Sequence, residues 1–173
     1  MRRGTTTPLR HAPDHSPVTV VQAVRDAVQV QITTLGPLAV DGRAIRGERL
    51  ITLVRELVGA RGRAVSTTSL VESIWYGEPP ADAAGAIQAL VSRVRRLGLP
   101  VIAAPGGYRL PAEDLNVDAV EVRALVDRAR AALRAGDPAT ARRLSDQARA
   151  RFPEVPELDD AGTARLLADV AAL

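Results

Sequence analysis

Apolar residues recur with a helical period in several separate stretches of this chain and with a shorter, β-like spacing in a few others. Between residues 47 and 60, Leu50, Leu53, Val54, Leu57 and Val58 form the i, i+3, i+4, i+7 stripe of an amphipathic helix, ended by Ala60, Arg61 and Gly62. Ser66 is a natural N-cap for a second helix holding Leu70, Val71, Ile74 and Trp75. The run Gly77, Glu78, Pro79, Pro80 stops it. A third helix over 81–97 carries Ile87, Leu90, Val91, Val94 and Leu97 on one side. Residues 28–35 and 37–40 read as strands around Gly36 and Pro37, with a turn at Asp41 and Gly42. Residues 101–104 and 108–110 read as a hairpin across the turn residues Pro105, Gly106 and Gly107. Strands, three helices and a hairpin are the order of a winged helix-turn-helix.

Beyond a linker at 111–116 the pattern changes. Val122, Leu125, Val126, Ala129 and Leu133 line one helix, Gly136, Asp137 and Pro138 turn the chain, and Ala141, Leu144, Ala148 and Phe152 line the next. Leu166, Leu167, Val170 and Leu173 mark a last short helix. Small alanines facing across a short turn suit a tetratricopeptide-like pair, but stacked repeats ordinarily need about three units for stability. This half is therefore expected to be either incomplete or supported by the first half or by a partner. The expected class is α+β and mostly helical: an N-terminal extension at 1–27, a winged helix-turn-helix at 28–111, and a small all-α helical interaction domain at 112–173. The Thr-, Pro- and Arg-rich residues 1–17 read as disordered, and 18–30 as a short helix on the spacing of Val20, Val21, Val24 and Val28.

Charge sharpens this division. Residues 28–111 hold ten arginines against six carboxylates, whereas 112–173 hold nine arginines against twelve. A basic unit joined to an acidic one fits a nucleic-acid module beside a protein-facing module. All basic side chains are arginine, which GC-rich coding explains as well as selection does. Aromatics are 2% of the chain, so the core is aliphatic, and Trp75 among Leu70, Val71 and Ile74 reads as a core anchor.

Several chemistries drop out. With no cysteine there is no thiolate nucleophile, disulfide or Cys-based zinc site. The two histidines, His11 and His15, flank Pro13 in the extension, so neither a metal site nor a Ser-His-Asp constellation is expected in the folded body. Gly106 and Gly107 lack the Lys and Ser/Thr of a phosphate loop, and Asp159 and Asp160 read as helix-capping residues. No cofactor, metal or enzymatic activity is expected. No apolar run approaches a membrane span and no signal-peptide core follows Arg2 and Arg3, so a cytoplasmic location and no membrane partner are expected.

The third helix has a second face. Gly85, Gln88, Ala89, Ser92 and Arg96 lie opposite the apolar stripe, with Arg93 and Arg95 on its flanks. A narrow ridge of small and polar side chains between guanidinium arms suits a DNA major groove, the arms on phosphates and the ridge at base edges.

In order along the chain, LGPLAVD (35–41), GRAVSTTSLVESIW (62–75), GEPP (77–80), AIQALVSRVRRL (86–97), PGGYRL (105–110) and AALRAGDPATA (131–141) resemble the antibiotic regulatory proteins of actinomycetes. That family joins an OmpR/PhoB-type winged helix to a bacterial transcriptional activator domain, here shortened. The resemblance implies a transcription factor on double-stranded promoter DNA, controlling secondary-metabolite genes, binding as a self-associated or tandem pair on repeats and helping to recruit RNA polymerase. Carried over by position, the contacts are Gln88, Ala89, Ser92, Arg93, Arg95 and Arg96 on the helix, with Tyr108 and Arg109 on the wing. Family members commonly carry Arg or Asn where this chain has Ala84 and Gly85, and Tyr or His in place of Leu90. A wing-tip arginine common in the wider OmpR/PhoB type is replaced by Ala104 or Pro105. A better-preserved phosphate grip than base readout is therefore expected. A degenerate winged helix that binds a protein or a related regulator instead of DNA is the second reading.

Overall fold

A computed structural model describes residues 29–153 and 161–172. The 1–27 extension, most of the expected helix at 18–30, His11, His15, Asp159, Asp160 and Leu173 lie outside the described residues.

Strand β1 (Val30–Thr33) pairs antiparallel with β2 (Ala39–Val40), which pairs with β3 (Arg43–Ala44) across the Asp41–Gly42 turn. Asp41 takes a positive φ of 47° there and its carboxylate accepts the Gln31 N–H at 3.0 Å. Helix α1 (Glu48–Gly59) follows, burying Leu50, Leu53, Val54 and Leu57. Strand β4 (Val65–Ser66) leads into α2 (Thr67–Trp75), whose N-cap Ser66 accepts the Ser69 N–H at 3.0 Å. Helix α3 (Ala83–Arg96) comes next, and then the hairpin of β5 (Ile102–Ala104) and β6 (Gly107–Arg109). The stripes seen in the sequence are the buried faces of these helices, which share one aliphatic core with Ile32, Val101 and Leu110. Trp75 is buried in it, with the Arg49 guanidinium 5.6 Å from the ring centroid, so it is a core anchor.

The hairpin differs in detail from expectation. Gly106, at φ 75°, is a turn residue, but Gly107 is the first residue of β6, opposite Ser66 of β4. A Cβ there would collide with the Val65 carbonyl, so this glycine permits close backbone approach.

The larger difference falls at 111–116, where a linker was expected. Residues Ala112–Asp114 form a 3-10 turn, and Leu115–Val117 form β7, parallel to β1 with Val30 opposite Leu115 and Ile32 opposite Val117. The sheet order is β3-β2-β1-β7, so this strand closes a sheet opened some eighty residues earlier. A three-residue strand beginning straight after turn-type residues leaves too little alternation to register as a pattern. The two-residue β3 was missed for the same reason.

Helix α4 (Asp118–Arg134) and α5 (Pro138–Arg149) form an antiparallel pair. Gly136 at φ 76°, Asp137 as N-cap and Pro138 at the first helical position make the turn. Ala129, Ala141 and Ala148 are buried, and their small side chains let the axes approach. Leu133, expected on the buried stripe, is 44% exposed. It sits in the last turn of α4, just before the turn at Gly136. Helix α6 (Ala161–Ala171) adds Leu166 and Val170 to the core against Val122 and Val126 of α4.

That second core also holds Leu35, contributed by the loop after β1 and fully buried. Beside it, the Asp118 carboxylate accepts the Thr34 N–H at 2.8 Å, the Thr34 hydroxyl at 2.6 Å and the Leu35 N–H at 3.1 Å. One carboxylate thus satisfies the loop of the first half and opens the first helix of the second. The support the helical half needs comes from the winged helix, through Leu35, Asp118 and β7.

Candidate nucleic-acid interface

Helix α3 is fixed at its start by Asp82, whose side chain accepts the Gly85 N–H at 2.8 Å. A Cβ at Gly85 would collide with that carboxylate, so cap and glycine belong together. Ile87, Val91 and Val94 anchor the helix in the core. Gln88, Ala89, Ser92, Arg93, Arg95 and Arg96 are all exposed, as the two-face reading expects, while Leu90 is half-buried and packs against the core. Leu90 is thus turned from the ridge that Gln88, Ala89 and Ser92 form.

The arginines divide into two kinds. The Arg95 Nε–H donates to the Val101 carbonyl at 2.8 Å, bracing the end of α3 against the base of the hairpin. Arg93 and Arg96 instead open on a shallow cleft of about 420 Å³ shared with Ala44, Ile45 and Arg46. Arg46 is exposed just before α1 and comes beside the other two only through tertiary packing. Sequence reasoning missed it: nothing in the local pattern of 43–47 points toward residues 93–96.

The wing residues are less free than the sequence suggested. Tyr108 lies in β6 opposite Val65, half-buried and packed against the core. Arg109 lies opposite Ile102 and is also half-buried. Three ion pairs occur among the described residues: Arg123 and Arg130 with Asp169, at 3.6 and 2.8 Å, and Arg151 with Glu121 at 2.7 Å. All lie within the helical half, so none involves an arginine around α3. The Asp169 carboxyl is held below its usual range first by the Arg130 hydrogen bond and then by the charges of Arg130, Arg123 and Arg165. Among the described residues no cluster of His, Cys, Asp or Glu could hold a metal ion, and no helix is long and apolar enough to cross a membrane.

Comparison with known proteins agrees with this architecture. No protein-family model matches the chain. It is 35% identical over 158 residues to the transcriptional regulator RedD of Streptomyces coelicolor, covering 83% of this chain and 45% of RedD. It is 31% identical over 134 residues to the regulatory protein AfsR of Streptomyces griseus, covering 72% of this chain and 13% of AfsR. Among solved structures it is similar to Mycobacterium tuberculosis EmbR in complex with a low affinity phosphopeptide. That match has a TM-score of 0.67 and 26% identity, over 83% of this chain and 41% of EmbR. The chain therefore spans less than half the length of these relatives.

Proposed function

We propose that this chain is a member of the actinomycete antibiotic regulatory protein family and a DNA-binding transcriptional regulator of secondary-metabolite genes. The observation that carries the reading is the exposed face of α3: a ridge of Gln88, Ala89 and Ser92 beside arginines that no carboxylate neutralises among the described residues. A cationic helix face with small side chains at its centre fits the major groove, whose width admits one helix.

In this mechanism α3 lies in the groove with Gln88 and Ser92 at base edges. Arg93 and Arg96, joined by Arg46, neutralise phosphates on one flank. Arg95 holds the hairpin in register with the helix through Val101, and Tyr108 seats the wing so that Arg109 lies near the backbone. Ala89 contributes close approach. With Gly85 fixed by the Asp82 cap and Leu90 turned inward, few side chains are left to read bases, so affinity rests mainly on phosphates and sequence selectivity is relaxed. A single module makes few contacts, so promoter binding uses two copies on repeated sites. The unit at 28–111 reads DNA in the cytoplasm, and the helical unit at 112–173 meets a protein partner, RNA polymerase or a second copy.

A mobility-shift titration on the region upstream of its own gene, repeated over a salt series, tests this. Binding should weaken steeply with salt, with log K falling by about 0.9 per decade of salt for each phosphate neutralised. Replacing Arg93 and Arg96 by Ala should flatten that slope. If the folded protein binds no DNA at low salt and instead captures a related regulator, the DNA reading fails and the interaction-protein reading replaces it.

A further inference from the structure

Away from the α3 face, a cleft of about 390 Å³ opens where the two halves of the molecule meet. Its apolar wall is Val58 from the end of α1, Leu110 and Leu115 on either side of the 3-10 turn, and Val120 of α4. Val120 is 51% exposed, although Val117 before it and Val122 after it are buried. The volume is within the ordinary range for small-molecule sites, and mostly apolar walls with a few polar groups are the usual chemistry of such sites.

Charge narrows the class of ligand. Three ionised groups line the cleft: Arg61, Glu121 and Arg123. The Glu121 carboxylate is taken by Arg151 at 2.7 Å, and the Arg123 guanidinium faces Asp169 at 3.6 Å. Arg61 has no ion pair or hydrogen bond from its guanidinium among the described residues, and it also lines the adjoining cavity of about 170 Å³. Its backbone is in the left-handed region, at φ 49°, in the turn where a Cβ added at Gly62 would come within 3.5 Å of Ala112. The turn therefore holds Arg61 at the cleft. The Asn116 amide, on the same wall, also has no side-chain hydrogen bond among the described residues. An apolar space lined by the unpaired Arg61, a partly compensated Arg123 and one free amide favours an anion with an apolar body.

We infer that this cleft binds a small amphipathic carboxylate, its apolar body between Val58, Leu115 and Val120 and its carboxylate on Arg61, with the Asn116 amide as a further donor. Such a ligand touches α1 and the 3-10 turn on one side and α4 on the other, so its binding stabilises the contact between the halves. The site is independent of the DNA-reading face.

The test uses the intact chain without DNA. The anionic apolar dye 1-anilinonaphthalene-8-sulfonate should bind the native protein at a single site with enhanced emission, and decanoate should displace it. The uncharged 1-decanol should displace it much more weakly. Val120→Trp, at an exposed position, should abolish dye binding by filling the cleft. Arg61→Gln should weaken dye and decanoate binding by about tenfold, the usual size of a lost charged hydrogen bond. Far-UV circular dichroism and a thermal melt establish that both variants fold. Absence of dye binding to the native protein, emission that neither substitution changes, or displacement by 1-decanol as strong as by decanoate would each overturn the assignment.

Discussion

In the helical half, Arg123, Arg130 and Arg151 each reach a carboxylate, whereas no arginine of the winged helix forms an ion pair among the described residues. The residue type is the same on both sides, so arginine content alone says nothing about function. What differs is the use of the acids. In the winged helix Asp41 and Asp82 accept backbone N–H groups at a turn and a helix start, which leaves the guanidinium groups uncompensated. In the helical half Asp118 and Asp137 also accept backbone N–H groups, but Asp169 faces arginines of α4 and Glu121 faces Arg151 in the turn after α5. Exposed pairs of that kind add little stability, about 0–1 kcal/mol each. Unpaired cations gathered beside one helix instead set up a local field that favours a polyanion.

The halves are electrostatically distinct yet mechanically joined, and the joint is the first thing to break. Leu35 lies in the core of the helical half although it belongs to the loop after β1. Leu35→Ala should destabilise the protein by about 2–5 kcal/mol, the usual cost of such a truncation in a buried site. Chemical denaturation followed by far-UV and near-UV signals should still give one coincident transition. Two separated transitions in the unmodified protein would show that the halves fold independently.

The electrostatic side is tested by arginine substitutions read in parallel. Arg93→Ala and Arg46→Ala should each reduce DNA affinity by about 1 kcal/mol or more, close to tenfold, and lower the salt slope by about 0.9. Arg130→Ala, in the paired half, should leave DNA affinity unchanged and cost at most about 1 kcal/mol of stability. Arg95→Ala separates bracing from grip. It removes the bond to the Val101 carbonyl, so the melting temperature should fall more than the salt slope changes. Equal losses of DNA binding from Arg130→Ala and Arg93→Ala would erase the distinction.

A smaller effect is expected with acid. Asp137, the N-cap of α5, is held below its ordinary value of 3.8, first by the Thr140 backbone N–H and also by the charge of Arg143. Its folded value is lower than its unfolded one, so its contribution is complete above the unfolded value and is lost as pH falls through the folded one. Asp169 behaves in the same way through Arg130. Thermal melts from pH 6 to pH 2 should show part of the acid loss below about pH 4 removed by Asp137→Asn, which keeps a capping oxygen without a titrating carboxyl. An identical pH profile in the variant would contradict this.

Much of the fold was legible because it rests on local signals. Stripes such as Leu50, Leu53, Val54 and Leu57, the cap Ser66 and the turn residues Gly136, Asp137 and Pro138 set helix positions to within a few residues. The missing parts depend on partners distant in sequence. β7 is defined by β1, Leu35 by helices that follow it by eighty residues or more, and Gly107 by the Val65 carbonyl. The α3 face was legible for the same local reason: one helical period sorts its residues. The convergence of Arg46 with Arg93 and Arg96, and the tether of Arg95 to Val101, were not, because each joins separate segments.

The smallest effect concerns the one acid that stands at the start of α3. Asp82 is exposed and supplies the helix with its N-cap, so its carboxylate lies at the start of the proposed recognition helix. Near phosphates its charge opposes binding, while its hydrogen bond to Gly85 holds the helix in place. Asn caps helices about as well as Asp, so Asp82→Asn separates the two effects. The expected result is an unchanged melting temperature within about 0.5 kcal/mol of stability, with DNA affinity raised by about two- to fivefold at low salt. Because the repulsion is screened, the gain should shrink as salt increases. Asp82→Ala should lose about 1 kcal/mol of stability by leaving the Gly85 N–H uncapped, and so gain less or nothing on DNA. If Asp82→Asn instead weakens binding at low salt, this carboxylate contacts a base directly, and the start of α3 reads sequence after all.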